Sequence, residues 1–202
     1  MNRVIRKMVI GVSCAVLIPA AFCVLIYGVF FFSMAIEESR DPTVVNESVV
    51  RSLVQGDLGL GLNVGGIAGF YDDHGGWLGD GETYIEIHDD THQIAAEIAQ
   101  RDDWSPMPVS RDVRILVYGI IERGEDIVTH YGPTLTNRNR KPWIPEIEHG
   151  FWILVDRQSE TEQSERRDPD RPSGIHNRYS YNLTVGIYDT DHSILYVLAL
   201  DT

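Results

Sequence analysis

From Met8 to Ile36 the chain runs 29 residues without a charged side chain: MVIGVSCAVLIPAAFCVLIYGVFFFSMAI. A helix of about 20 apolar residues crosses a bilayer. Interruptions such as Pro19 are tolerated in membrane helices. Arg3, Arg6 and Lys7 precede the run, and Glu37 and Glu38 follow it. Basic flanks stay on the cytoplasmic side. Residues 1–7 are therefore expected to form a cytoplasmic basic tail, and 8–36 a transmembrane anchor whose partner is membrane lipid. The rest of the chain is then extracytoplasmic. Tyr27 and Phe30 to Phe32 would lie near the outer interface. Ser33-Met34-Ala35 resembles a signal cleavage site, but a secretory signal has an apolar core of only about 7–15 residues. Phe22 directly before Cys23 is wrong for a lipoprotein signal, and Cys14 comes too early. The expectation is an uncleaved single-pass signal-anchor, with cleavage after Ala35 as the competing reading.

The charge is unevenly spread. Of 17 basic and 30 acidic side chains, 4 and 2 fall in residues 1–40. That leaves 13 against 28, or about −15, on the remainder. So acidic a domain repels phosphate backbones and anionic head groups. That argues against nucleic acid as a partner of the folded part, and against membrane-surface binding by it. A protein, peptide or other envelope component remains. Cys14 and Cys23 both lie in the apolar run, so the soluble part has no disulfide framework, cysteine nucleophile or cysteine-based zinc site.

Residues 37–57 read as a juxtamembrane helix or stalk. Asp41-Pro42 supplies a cap and a first-turn proline. Val45, Val49 and Leu53 repeat every four residues, and Gly56 ends the segment. Residues 58–202 then form the soluble domain. A strand is expected near Ile67–Asp72. Glu82–His88 alternates, with Ile85 and Ile87 on one face and Tyr84, Glu86 and His88 on the other. Thr91–Arg101 reads as a helix with Ile94 and Ile98 inward, capped by Asp90 with Gln93 three residues on. After Ser110, the spacing of Val113, Leu116, Val117 and Ile120 suits a helix, yet the run is β-branched enough for a buried strand. Residues 131–146 are loop-like and locally basic. Gly150–Arg157 is an apolar strand. Residues 158–178 have almost no apolar side chains and are expected to form a mobile insertion. Tyr181, Leu183, Val185 and Ile187 alternate into a turn at 189–193, and 194–201 returns as a hairpin. The order gives an α+β domain: an antiparallel sheet of about five strands, with two or three helices on one face.

Residues 72–92, DDHGGWLGDGETYIEIHDDTH, gather three histidines and seven acids. The metal reading groups His74, His88 and His92 with Asp72 and Asp90 as a metal-dependent hydrolase site. His88 and His92 are four apart, as in zinc helices, but the glutamate of H-E-x-x-H is missing. The structural reading assigns most of these residues to turns and caps. Asp80-Gly81 signals a tight turn, and Glu86 and His88 fall on a strand's wet face. No cofactor is expected beyond a weakly bound divalent cation at Asp80, Asp189 or Asp191, for which the EF-hand pattern is absent. Glu146, Glu148 and His149 could form an acid–base group or a rim. No nucleophile elbow, Walker loop or S-x-x-K motif is present. The function expected is a non-enzymatic binding or interaction domain on a membrane tether.

HGGWLGDGETYIEI, IPEIEHGFWILVDRQSE and YNLTVGIYDTDHSILYVLALDT together resemble an uncharacterised bacterial family of small, often membrane-anchored proteins. These share an HGG-x-x-GDG-x-T element and a C-terminal YDTD hairpin. The resemblance covers about residues 60–202. It implies a shared fold and transfers no activity or site residue.

Overall fold

The central hairpin shows why the sheet is buried on both sides. In Asn182–Asp189, Leu183, Val185 and Ile187 face one way while Thr184, Gly186 and Tyr188 face the other. In Ile194–Asp201, Leu195, Val197 and Ala199 are buried on one face and Tyr196, Leu198 and Leu200 on the other. Such continuous apolar strands belong in a sheet covered on both faces. Each large apolar side chain buried there contributes roughly 1.5–3 kcal/mol.

The structure is a computed structural model and describes residues 23–29, 41–61, 66–75, 80–124, 127–158, 175, 178 and 180–202. Contacts divide the chain into two units, Met1–Arg40 with Gly75–Leu78, and Asp41–His74 with Gly79–Thr202. In the first, residues 23–29 form an exposed helix, α1. Among the described residues no helix is long and apolar enough to cross a membrane. Most of the expected anchor, 8–36, lies outside the described residues.

The second unit is the folded body, an α+β domain. Its elements run α2 (Glu47–Arg51), which continues as a π-helical turn (Ser52–Asp57), then β1 (Ile67–Asp72), β2 (Gly81–His88), α3 (Gln93–Ile98), β3 (Ser105–Pro106), α4 (Arg111–Val117), β4 (Ile120–Arg123), β5 (Val128–Tyr131), β6 (Gly150–Asp156), β7 (Asn182–Asp189) and β8 (Ile194–Asp201). The main sheet has six strands in the order β1-β2-β8-β7-β6-β3, and β4-β5 form a separate two-stranded sheet. Every pairing is antiparallel. The expected five strands become six because the two-residue β3 pairs on the β6 edge.

The helices do not all lie on one face. Val50, Leu53, Val54, Ile94, Ile98 and Trp104 cover the face carrying Ile85, Ile87 and Val197. Val113, Leu116, Val117, Leu135 and Ile144 cover the opposite face, carrying Val185, Ile187 and Leu198. The ambiguous run after Ser110 is a helix up to Val117 because the Ser110 hydroxyl accepts from Val113 N–H at 3.3 Å. Ile120 then falls in β4, beyond the helix.

Two other boundaries also differ from expectation. Asn46, not Asp41, caps the first helix, accepting from Ser48 N–H at 3.2 Å. Asp41 instead forms a local turn with Thr43. Gly56 does not end the segment, which runs on to Asp57. There the Asp57 carboxylate accepts from Thr184 Oγ1 at 2.7 Å and from the Arg157 guanidinium, tying the π-helical turn to β7.

The expected insertion, 158–178, falls mostly outside the described residues. Its far end is not free of the core: Ile175 is buried with the α4 layer, and Arg178 pairs with Asp156 at 2.6 Å.

Candidate functional site

The β1–β2 register places Asp72 opposite Thr83. His74, two residues past Asp72, folds back onto this pair. Its Nδ1 lies 2.8 Å from Asp72 Oδ1, and the Thr83 hydroxyl donates to the same oxygen at 3.1 Å. Asp72 and Thr83 are buried. With Nδ1–H donated to the carboxylate, Nε2 is the acceptor of the neutral ring. Gly81 makes room for this fold-back, since a Cβ there would sit 2.6 Å from the His74 Cα.

The bond to Asp72 raises the His74 pKa above the ordinary imidazole value; burial opposes it, and Asp73 and Asp201 add to the rise. For Asp72, burial works to raise the carboxyl, but the His74 ring, the His74 N–H and the Thr83 hydroxyl outweigh it and hold the value low.

Beside this pair stands an aromatic ledge. Trp143 stacks on Tyr84 at 4.7 Å and 14°, and leans on Tyr71 at 5.1 Å. The Arg138 guanidinium lies 5.3 Å over the Tyr71 ring. Glu82 faces the Trp143 indole N–H at 3.5 Å, and burial raises its pKa. Tyr71 donates its hydroxyl to Asp73 at 2.9 Å, and the Asp73 carboxylate accepts from Glu82 N–H at 2.6 Å. This end of the sheet thus offers half-buried rings, a cation and several carboxylates. Aromatic and arginine side chains of this kind dominate recognition surfaces.

The five residues of the metal reading are not brought together. His88 lies at the other end of β2, five residues from Thr83, or about 17 Å along the strand. There its Nε2 lies 3.4 Å from Glu86. His92 sits before α3 with φ 55°, its Nδ1 3.3 Å from Ser193 Oγ. Asp90 is exposed and does not cap α3; Asp89 does that work, accepting from Ala95 N–H at 3.0 Å. Among the described residues no three His, Cys, Asp or Glu side chains form a metal-holding group. Asp80 adjoins the Asp201 end of β2, whereas Asp189 and Asp191 stand at the opposite end of β8. Asp189 already accepts from the Asp191 and His192 amides and faces the His192 ring at 2.8 Å. Asp191 faces His149 at 2.9 Å. Glu146 pairs with Arg114 at 3.0 Å, away from the His149–Asp191 pair.

The arrangement has a defined pH signature. A raised His74 pKa contributes stability that is complete below about 6.5, the unfolded value, and lost as pH rises through the folded value. The lowered Asp72 pKa contributes stability present above about 3.9 and lost as pH falls through its folded value. The His74 side chain is 28% exposed, so the pair is worth about 1 kcal/mol or less. His74→Gln is expected to lower Tm most near pH 5–6, with the difference shrinking toward pH 9. A difference constant across that range in thermal melts would contradict the ion pair.

Comparison with family models, curated proteins and solved structures finds no match for this chain.

Proposed function

We propose that the chain is a single-pass, membrane-tethered binding module whose folded body lies outside the cytoplasm. The body meets an envelope component through the end of the sheet that carries Tyr71, Trp143 and Arg138. The observation that carries the tether is the uncharged run Met8–Ile36 between a basic and an acidic flank. Support for binding rather than turnover comes from the ledge of Trp143, Tyr71 and Arg138 and from the pair beside it. The His74–Asp72 pair has the form of an acid–base dyad, but the Thr83 hydroxyl beside it lies on the Nδ1 side and donates to Asp72. A nucleophile served by this histidine would stand at Nε2.

The tether is tested by washing membranes with alkaline carbonate. The chain is expected to stay in the pellet and to move to the supernatant only with detergent. Release by carbonate alone would defeat the tether. A photo-crosslinker in place of Trp143 tests the binding face. It is expected to give a discrete adduct in native membranes that the same probe at exposed Asp90, on another part of the body, does not give. Identical adducts from both positions would defeat the binding face.

A further inference from the structure

The body is strongly acidic, yet residues 127–145 contain no Asp or Glu, and three cations fall within four residues, Arg138, Arg140 and Lys141. Of the seven other described cations of the body, five, Arg101, Arg111, Arg114, Arg157 and Arg178, pair with a carboxylate, and the other two, Arg51 and Arg123, are far apart in sequence. The three in this loop are exposed, and among the described residues none makes an ion pair. The loop is held in shape. Asn137 Oδ1 accepts from Asn139 N–H at 2.9 Å and Lys141 N–H at 3.2 Å, and Asn137 N–H donates to Lys141 O at 2.8 Å. Arg140 takes φ 58°, a left-handed conformation that favours glycine or asparagine.

The loop's position matters as much as its charge. The body begins at Asp41, and Pro42 O accepts from Asp72 N–H at 2.8 Å, at the end of β1. Tyr71, the neighbour of Asp72, carries Arg138 on its ring. Bonds from Thr43 lower the Asp41 carboxyl most, and the Arg138 charge acts on it as well. The cationic loop therefore stands where the chain enters the body. Four residues lie between Ile36 and Asp41, five chain steps with a reach of at most about 18 Å whatever their conformation. A run that stays in lipid as far as Ile36 keeps this end of the body close to the head groups. Trp and Tyr beside Lys and Arg are the side chains that suit that interface.

We propose that the loop of residues 137–141, with Trp143 and Tyr71 behind it, docks on anionic phospholipid head groups of the leaflet into which the chain is anchored. This rests on the tether reading and names the partner of the same face. It also reverses the expectation that an acidic domain avoids a membrane surface. The net charge repels at a distance, but within a Debye length of about 8–10 Å the local cations decide.

The test uses the full chain reconstituted in phosphatidylcholine vesicles with and without phosphatidylglycerol, reading hydrogen exchange at the amides of residues 138–141. Phosphatidylglycerol is expected to slow exchange about tenfold or more. The slowing should vanish in high salt and in R140E/K141E. Both of those side chains are exposed, so exchange in β7 and β8 should be unchanged and report an intact fold. Equal exchange in the two vesicle types, slowing that survives in R140E/K141E, or slowing reproduced by inorganic phosphate with phosphatidylcholine vesicles would each overturn the docking. A chain stripped from both vesicle types by alkaline carbonate would sink the tether, and the docking with it. A chain retained in both with equal exchange would sink the docking alone.

Discussion

Gly150→Ala is expected to destabilise the body by about 3 kcal/mol or more, the cost of a severe backbone conflict at a paired strand end. Gly150 opens β6 with φ 153°, and a Cβ there would lie 1.9 Å from the Tyr188 carbonyl oxygen. That atom is rigid backbone, within the β6–β7 pairing of Gly150 with Asp189. The alanine must therefore pull β6 off β7. Gly150 O would also be displaced from Met107 N–H, which it meets at 3.0 Å, loosening the edge strand β3. Gly124→Ala is the control. Its nearest neighbour would be Ile127 O at 3.4 Å, an ordinary contact, and its effect should stay within about 0.5 kcal/mol. Denaturant unfolding of the detergent-solubilised chain, followed by tryptophan fluorescence, measures both. Equal midpoints for the two variants would contradict the strand-end geometry.

Asp89→Ala is expected to cost about 2–4 kcal/mol, because it removes the carboxylate that accepts from two donors at once. The Asp89 carboxylate is buried and accepts from Ala95 N–H in the first turn of α3 and from the Tyr188 hydroxyl, both at 3.0 Å. Tyr188 is itself buried, and burial together with the Asp89 charge pushes its pKa up to about 12. The alanine takes away that hydroxyl's acceptor, leaving it only the Ser193 side chain, while α3 loses its anchor to β7. If the loss of its carboxylate acceptor makes the Tyr188 hydroxyl a real part of the cost, Asp89→Ala with Tyr188→Phe should be up to about 1 kcal/mol more stable than Asp89→Ala alone. A cost under about 0.5 kcal/mol in the same unfolding measurement would show that Asp89 does not join these elements.

The same residue shows how far the sequence could be read. Asp89 and Asp90 stand side by side before a helical pattern, and composition favours neither as the cap. Strand parity does. Ile85 and Ile87 are buried on one face of β2, and Asp89 continues that odd-numbered series inward while His88 and Asp90 are exposed. Parity also explains the failure of the His88–His92 pair. A four-residue spacing brings side chains together on a helix, but His88 ends a strand. The closing hairpin was legible because Leu183, Val185 and Ile187 alternate. The two-sided cover was signalled only by 194–200, apolar throughout, because the run after Ser110, which covers the second face, fitted helix and strand alike. The cap bond from Ser110 is what separates these, and it is a three-dimensional fact. Asp72 and His74 are close in sequence, but their meeting with Thr83 depends on register, and the meeting of Trp143 with Tyr71 and Tyr84 depends on how a loop folds over β1 and β2. The basic character of that loop was visible; its place beside Asp41 was not.

Everything proposed for the body depends on which side of the bilayer holds it. Protease added to intact cells, with separate antibodies to the two ends of the chain, measures this directly. The C-terminal end is expected to be lost while an N-terminal fragment stays protected. Survival of the body together with clipping of residues 1–7 would contradict it.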